Sequence, residues 1–242
     1  MLLFDHTFGS PEQNLAADEA LLEHAESEHG GEVLRFWESS EHFVALGYTN
    51  KIETEVDESA CHLLNVPILR RASGGGTVLQ GPGCLSYALI LDLETRPAIA
   101  TISSSNTWIM EQQAHAISQV LGEPVEILGT TDLALRGRKF SGNAQKRKRR
   151  FTLFHGTILL SGFDLSLLTR TLQVPARRPD YRAARSHTDF VCTLDVPREE
   201  VKFALASTWQ AHLEMSLGEF PLALMLRLIE ERYGRDEWHR KF

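Results

Sequence analysis

Short apolar runs separated by polar residues, glycine and proline recur along the chain and predict β-strands. The predicted strands cover residues 2–7, 33–37, 43–46, 67–71, 77–79, 85–91 and 152–160. Two further runs, 132–135 and 138–140, flank Arg136-Gly137, a pair that fits the two-residue turn of a β-hairpin. The pattern therefore indicates many short strands, several of them joined as hairpins.

Other segments place apolar residues at helical spacing. Ser10 as N-cap, Pro11 at the first helical position and Gln13 closing a capping box mark the start of the first helix. Helices are also predicted over residues 57–64, 104–121, 198–215 and 221–232. Because strands and helices are interspersed, we expect an α/β (α+β) fold with a mixed β-sheet flanked by helices.

The composition is that of an ordinary globular chain, with 242 residues of which 43% are hydrophobic and 24% charged. A membrane-spanning apolar run and a secretory signal are both missing from the sequence. Cys61, Cys84 and Cys192 are odd in number and widely separated, so they suggest neither a disulfide framework nor a metal knuckle. We expect a single cytoplasmic domain over residues 1–242, with neither a membrane nor nucleic acid as a partner.

Positive charge is concentrated in residues 136–150. This window holds eight Lys/Arg and no Asp or Glu, although the whole chain has 25 basic and 32 acidic residues. Such a patch on an acidic protein indicates an anionic ligand, for example phosphate or carboxylate. Lys139, close to the small residues Ser141 and Gly142, is placed to neutralise charge that develops in an acyl-transfer transition state. We expect residues 146–150 to form a mobile basic rim, with a plain solvated hairpin as the alternative.

Three consecutive glycines, Gly74, Gly75 and Gly76, follow Ser73 between two predicted strands. Their N–H groups can form an anion-binding nest, and Arg71 can add a bidentate contact to a phosphate or carboxylate. A plain tight turn is the alternative, because glycine is commonly used in turns.

Two more polar residues are candidates for chemistry. Asp132 supplies one carboxylate upstream of the basic window, and a single carboxylate beside bound phosphate suffices for Mg²⁺. His155 lies in an apolar strand, and the following Gly156 permits close approach of a ligand. The structural alternatives are an aspartate at a strand entry and a hydrogen-bonded core histidine.

Taken together, these segments resemble the lipoate–protein ligase family, within the wider group of biotin and lipoate ligases and octanoyltransferases. The match follows the family's order over roughly residues 10–195. The Arg-Arg-x-Ser-Gly-Gly-Gly and Gly-Arg-Lys-x-Ser-Gly motifs are specific when they occur together. The resemblance is carried by residues 14–22, 46–47, 70–78, 132–133, 137–145 and 155–157, with a weaker match at 185–187.

The resemblance implies a catalytic domain of the class II synthetase and biotin–lipoate ligase type, and an ATP-dependent lipoate–protein ligase reaction. With ATP and Mg²⁺, lipoate becomes lipoyl-AMP, and the acyl group passes to a lysine of a lipoyl carrier domain. That carrier is a dehydrogenase E2 subunit, the glycine-cleavage H protein or a similar protein. By this analogy Lys139 is catalytic, and Asp132 lies near the phosphate and its Mg²⁺. The implied substrate- and ATP-binding residues are Arg71, Ser73, Gly74, Gly75, Gly76, Thr77, Val78, Leu79, Asp132, Ser141, Gly142, His155 and Gly156.

Departures from the family's pattern keep other functions open. Gln80-Gly81 stand where the family often has His-Asp. No C-terminal accessory domain is expected, so either a separate small protein assists activation or this chain performs only transfer. Octanoyltransferases of the group use a catalytic cysteine, and none of the three cysteines stands in a matching context. The first alternative is an ATP-independent octanoyl or lipoyl transferase acting on an acyl-carrier thioester, and the second is a non-catalytic module that binds through the basic patch.

Overall fold

The structure, a computed structural model, describes residues 1–27, 30–174 and 179–242. The apolar runs of the sequence form strands that pair edge to edge and so satisfy their backbone hydrogen bonds. The strands are β1 (Leu2–Asp5), β2 (Val33–Trp37), β3 (Phe43–Leu46), β4 (Ile68–Arg70), β5 (Val78–Gln80), β6 (Cys84–Asp92), β7 (Glu126–Leu128), β8 (Asp132–Leu135), β9 (Arg138–Arg147), β10 (Phe151–Leu159) and β11 (Leu213–Glu214).

The helices are α1 (Pro11–Glu26), α2 (Ile52–Glu55), α3 (Glu58–Leu63), α4 (Ile102–Leu121), α5 (Leu165–Thr171), α6 (His187–Phe190), α7 (Arg198–Thr208), α8 (Leu222–Leu228) and α9 (Asp236–His239). The predicted start of α1 is confirmed, because Ser10 accepts from the Gln13 backbone and the Gln13 side chain accepts from the Ser10 backbone. None of the helices in the described ranges is long and apolar enough to span a bilayer.

Eight strands form one mixed sheet in the order β11-β1-β2-β6-β10-β9-β8-β7. Strand β1 pairs in parallel with β2 and β11, whereas the other pairs of this sheet are antiparallel. A second sheet has the order β4-β3-β5, with β3 and β4 parallel. This arrangement, with helices packed on the sheet, confirms the predicted fold class.

The central strand β6 is buried along its whole length and separates two parts of the core. Leu85, Leu89 and Leu91 pack with α4 and α7, whereas Ala88 and Ile90 pack with α1 and α8. Alternate residues of a strand point to opposite faces, so one apolar run serves both layers. A third, smaller core joins the three-stranded sheet to α3 and α5.

The predicted hairpin turn is confirmed, and one predicted helix is too long. Arg136 and Gly137 both have positive φ, 52° and 71°, as a type I′ turn between β8 and β9 requires. The helix expected over residues 198–215 ends at Thr208, because Gln210 has a φ of 53° and the chain then forms β11 beside β1. The buried Ala211 continued the apolar spacing beyond the true helix end.

The expected mobile basic rim at residues 146–150 is wrong. Three of its five cations pair with acids from α1 and from the end of β6, and Arg147 donates to the Ile99 and Ala100 carbonyls and to Ser105 Oγ. The ion pairs are Lys146–Glu19 (2.5 Å), Lys148–Glu23 (2.6 Å) and Arg150–Asp92 (2.8 Å). The charge of this segment therefore ties β9 and the following turn to distant elements, which weakens the case for a free basic surface.

A buried ion pair joins α1 to β2. Arg35 Nη1 lies 2.5 Å from Asp18 Oδ1, and the two side chains are 0% and 3% exposed. Both terminal nitrogens of Arg35 also donate to Asn14, one to its backbone oxygen at 2.9 Å and one to its side-chain oxygen at 2.7 Å. The Asn14 amide donates in turn to the Phe8 and Ser10 carbonyls, so the pair also fixes the turn that precedes α1.

Replacing Asp18 by asparagine leaves the Arg35 charge buried without a carboxylate. We expect Asp18→Asn to lower the free energy of unfolding by about 3–5 kcal/mol, as is usual when one partner of a buried pair is removed. Glu123→Gln, which acts on the exposed pair of Glu123 with Arg136, should cost less than about 1 kcal/mol. Urea unfolding of the two variants checks this difference, and equal costs would contradict the structural role of the buried pair.

Candidate active site

A cavity of 620 Å³ is lined by strands of both sheets and by the glycine-rich loop, residues 73–76. The segments singled out in the sequence converge here, although they are far apart along the chain. Of the residues expected to form the site, Ser73 and Gly74 are the two that do not line the cavity. Those that line it are Arg71, Gly75, Gly76, Thr77, Val78, Leu79, Asp132, Lys139, Ser141, Gly142, His155 and Gly156.

Arg71 shapes the glycine-rich loop. Its Nη2 donates to the Gly74 carbonyl at 2.6 Å and to the Gly76 carbonyl at 2.7 Å, and its Nε donates to Ser73 Oγ at 3.0 Å. Burial lowers the pKa of Arg71 to about 10, so the guanidinium is still charged at neutral pH. Most of its donors are committed to the loop, and a direct contact with a ligand stays a prediction.

The end of β3 holds the loop from the other side. A Cβ added at Gly47 would lie 2.1 Å from the Gly75 carbonyl oxygen, so only glycine allows this approach of two backbones. The Tyr48 N–H donates to the Ser73 carbonyl at 2.8 Å. Gly75 itself has a φ of 87°, a conformation that disfavours any side chain. The loop is thus fixed by sterics and hydrogen bonds on both flanks.

Lys139 reaches the cavity with its ammonium held by Asp132. The Lys139 Nζ lies 2.7 Å from Asp132 Oδ1, and the Tyr181 hydroxyl donates to Asp132 Oδ2 at 2.7 Å. A Cβ at Gly142 would lie 2.8 Å from Nζ, so this glycine leaves room for the ammonium. Burial, reinforced by Asp132, raises the pKa of Tyr181, which keeps its hydroxyl a proton donor. The side chain of Lys139 is 25% exposed, so a fixed cation faces accessible space.

The Asp132 carboxylate does not fit the magnesium ligand expected for it. One of its oxygens is engaged by the Lys139 ammonium and the other by the Tyr181 hydroxyl. A magnesium ion bound to Asp132 would lie close to the Lys139 ammonium, and the two positive charges would repel each other. Across the described ranges no group of three or more His, Cys, Asp or Glu side chains is placed to hold a metal ion.

His155 connects the cavity wall to the buried ion pair of α1. Its Nε2 lies 2.5 Å from Ser73 Oγ, and its Nδ1 lies 3.4 Å from Asp18 Oδ2. A proton on Nδ1 faces the carboxylate and leaves Nε2 to accept from the Ser73 hydroxyl. Ser73 Oγ also accepts from Arg71. A chain of polar contacts thus runs from Arg35 and Asp18 to the glycine-rich loop.

Much of the remaining cavity wall is apolar. His187, also in the wall, has its pKa lowered to about 4 by burial and then by the nearby Arg182 charge, so its ring is neutral at neutral pH. The apolar lining residues are Leu15, Trp37, Val78, Leu79, Phe140, Leu159, Leu168, Leu172, Phe190 and Val191. The cavity therefore offers space for an aliphatic chain beside the fixed cation.

Two side chains that support the site, Asn143 and Tyr181, were not predicted from the sequence. Asn143 Oδ1 accepts from the Tyr87 hydroxyl at 2.5 Å, and a Cβ at Gly156 would lie 1.7 Å from that same oxygen. Asn143 falls inside the motif at residues 137–145, which was the available signal. Tyr181 lies in no motif, and only the folded chain brings it to Asp132.

The profile of the lipoyl protein ligase A/B catalytic domain matches residues 10–207. The chain belongs to this family. It is 29% identical to the octanoyltransferase LipM of Carboxydothermus hydrogenoformans, over 98% of this chain and 97% of that protein. It is 27% identical to the octanoyltransferase LipM of Bacillus subtilis, over 96% and 95% of the two chains. The bipartite lipoate protein ligase of Thermoplasma acidophilum has the same fold, with a TM-score of 0.81 and 23% identity over 99% of this chain and 95% of that one.

The prediction of an ATP-dependent lipoate–protein ligase is wrong. Relatives that span nearly the whole chain are octanoyltransferases, the alternative that the sequence left open. The likeness to the archaeal ligase, at 23% identity, concerns the fold alone. The motifs around Ser73 and Lys139 identified the lipoyl protein ligase A/B family but did not separate its ligases from its transferases. The chain is an enzyme of the lipoate ligase and octanoyltransferase family.

The close approach of Gly47 to the glycine-rich loop predicts that a side chain at position 47 destabilises the protein. A methyl group at Gly47 must push the Gly75 carbonyl away, so we expect Gly47→Ala to lower the free energy of unfolding by about 1–3 kcal/mol. Gly74→Ala is the matched control, because its added Cβ meets nothing within 4 Å. The control should be neutral or stabilise by up to about 1 kcal/mol. Thermal and urea unfolding check both variants, and similar costs would argue against the close approach.

Proposed function

We propose that this enzyme transfers an octanoyl-type acyl group from a carrier thioester to a lysine of a lipoyl domain without using ATP. The observation that carries the proposal is the match, over almost the whole chain, to proteins named octanoyltransferase. The cavity supports it with two features that such a transfer requires. These are the fixed ammonium of Lys139 and an apolar wall for the acyl chain.

Lys139 acts on the charge that develops at the thioester carbonyl. When an amine attacks the carbonyl carbon, the oxygen gains negative charge, and a nearby ammonium stabilises this state more than the uncharged ground state. Asp132 holds Nζ in place at 2.7 Å, and the Tyr181 hydroxyl in turn holds the other oxygen of Asp132 at 2.7 Å, so little reorganisation is needed at the moment of reaction. Lys139 therefore stabilises the transition state as a cation and does not become acylated.

The apolar wall selects the acyl chain by its length. Burial of each methylene contributes about 0.8 kcal/mol, so binding strengthens until the chain outgrows the apolar space. Leu168 of α5, Leu159 of β10 and Trp37 of β2 all line the cavity. A medium-length aliphatic chain fits such a site better than a short acid does.

The proposed acceptor is a lipoyl domain of a dehydrogenase E2 subunit, the glycine-cleavage H protein or a similar carrier. The archaeal ligase that shares this fold is described together with its E2 lipoyl domain, which supports an acceptor of this kind. A separate small accessory protein, which an activation step would require, has no place in an ATP-independent transfer.

A comparison of acyl donors tests the proposed function directly. The enzyme is incubated with a lipoyl domain and either octanoyl-acyl carrier protein or free octanoate with ATP and Mg²⁺. Mass spectrometry of the lipoyl domain should show octanoylation with the thioester donor and an unchanged mass with the free acid. Modification that requires ATP, or none with any donor, would contradict the proposal.

Removing the Lys139 ammonium should abolish most of the activity without unfolding the protein. We expect Lys139→Met to lower kcat by about 10²–10³, the usual effect of losing one group that stabilises an oxyanion. Lys148→Met is the control, because it removes an equal charge that pairs with Glu23 away from the cavity lining. Thioester-dependent transfer rates and circular dichroism check both variants. Equal rates for the two would show that Lys139 has no catalytic role.

A further inference from the structure

The three cysteines of the chain face packed interior regions and not the cavity. Cys61 and Cys84 belong to the core between the three-stranded sheet, α3 and α5, and Cys192 belongs to the core beneath α4 and α7. None of the three lines the cavity that holds Lys139. The Cys192 Sγ is directed at the Arg138 carbonyl, 3.4 Å away, so even the cysteine nearest the Lys139 strand points to the backbone.

The ionisation of these thiols agrees with their positions. Burial raises the pKa of Cys61 to about 11 and that of Cys84 to about 12, and it raises the pKa of Cys192 as well. A cysteine nucleophile reacts as the thiolate, which needs an exposed and electropositive environment. An acyl-cysteine intermediate, which the transferase alternative would use, therefore has no suitable residue in this chain.

Among the residues that the structure describes, Ser73 also has contacts typical of a nucleophile. Its hydroxyl faces His155, and His155 faces Asp18, in the order of a serine hydrolase triad. However, Ser73 is only 1% exposed and does not line the cavity, and its Oγ already takes part in hydrogen bonds with Arg71 and His155. This oxygen is therefore not placed to attack a thioester carbonyl in the cavity, and the network instead positions the loop and His155.

We infer, on the basis of the proposed function, that the acyl group passes directly from the thioester to the acceptor lysine, with both carriers bound at once. The Lys139 ammonium stabilises the single tetrahedral intermediate that this route contains. The enzyme contributes orientation and charge and never carries the acyl group. Orientation alone is a large effect, since holding two reactants together corresponds to effective molarities of about 10⁵–10⁸ M.

The direct step is chemically complete without a further reactant. The acceptor ammonium first loses one proton to solvent, and the resulting amine attacks the thioester carbonyl carbon. The new C–N bond forms first and gives the tetrahedral intermediate. The C–S bond then breaks, and the thiolate leaves with the electron pair of that bond. A second proton then passes from the amide nitrogen to the thiolate. The products are the acylated lysine, the free carrier thiol and the one proton released at the start.

Incubation without an acceptor separates the direct route from a covalent one. Wild-type enzyme in substrate-level amounts is mixed with octanoyl-acyl carrier protein, and released thiol and the intact enzyme mass are followed in time. Direct transfer predicts no burst of thiol and no octanoyl adduct until a lipoyl domain is added. A burst of one thiol per enzyme, with an octanoyl group mapped to Ser73 or to any cysteine, would overturn the inference.

Steady-state rates and a cysteine-free variant provide the second readout. Direct transfer predicts intersecting double-reciprocal plots for the two carriers, whereas a covalent intermediate gives the parallel lines of ping-pong kinetics. The triple variant Cys61→Ala, Cys84→Ala, Cys192→Ala should retain transfer if it folds, and the wild-type kinetics decide the question if it does not. A complete lack of transfer from the thioester, even with acceptor present, would refute the proposed function itself, and the direct route with it. Transfer accompanied by an adduct would refute the direct route alone.

Discussion

The buried pair of Arg35 and Asp18 connects the framework of this protein to its site. A guanidinium without exposure is tolerated in the core because a carboxylate and two oxygens of Asn14 surround it. The second oxygen of Asp18 faces His155, and His155 faces Ser73 at the base of the glycine-rich loop. The position of α1 on the sheet and the shape of the loop are therefore set by one continuous set of polar contacts. A shift of α1 would be transmitted to the loop.

The ion pair of Lys139 and Asp132 differs from the buried pair in its exposure to solvent. Lys139 and Asp132 are partly exposed, so their attraction is screened by water and contributes little to stability. This ion pair instead fixes the position of the Lys139 ammonium, which still faces accessible space. Asp132 holds the ammonium, and the Tyr181 hydroxyl holds Asp132. Stability and reactivity thus depend on separate charges. Because of this separation, replacement of Lys139 is expected to leave the fold intact, whereas replacement of Asp18 is expected to destabilise it.

Local chemistry in the sequence predicted the local structure well. The cap at Ser10 and the turn at Arg136-Gly137 could be predicted because the residues that form each of them are neighbours in the sequence. The fold class and the convergence of the motifs on one cavity followed from strand pattern and family resemblance. The ion pairs of Lys146, Lys148 and Arg150 could not be predicted from the sequence, because the acids that balance these charges lie more than 50 positions away. Tyr181 was missed for the same reason, since only tertiary structure brings it to Asp132.

The error about ATP has a chemical cause. An acyl adenylate and an acyl thioester both present a carbonyl with a good leaving group, and both develop an oxyanion when an amine attacks. A cation such as Lys139 stabilises either transition state, so the motif around it records the type of reaction and not the donor. The donor is distinguished by what surrounds the leaving group. Here both oxygens of Asp132 are engaged by Lys139 and Tyr181, the Arg71 donors hold the loop, and part of the cavity wall is apolar. These features support the proposed thioester donor, and the burial of all three cysteines supports direct attack by a lysine amine.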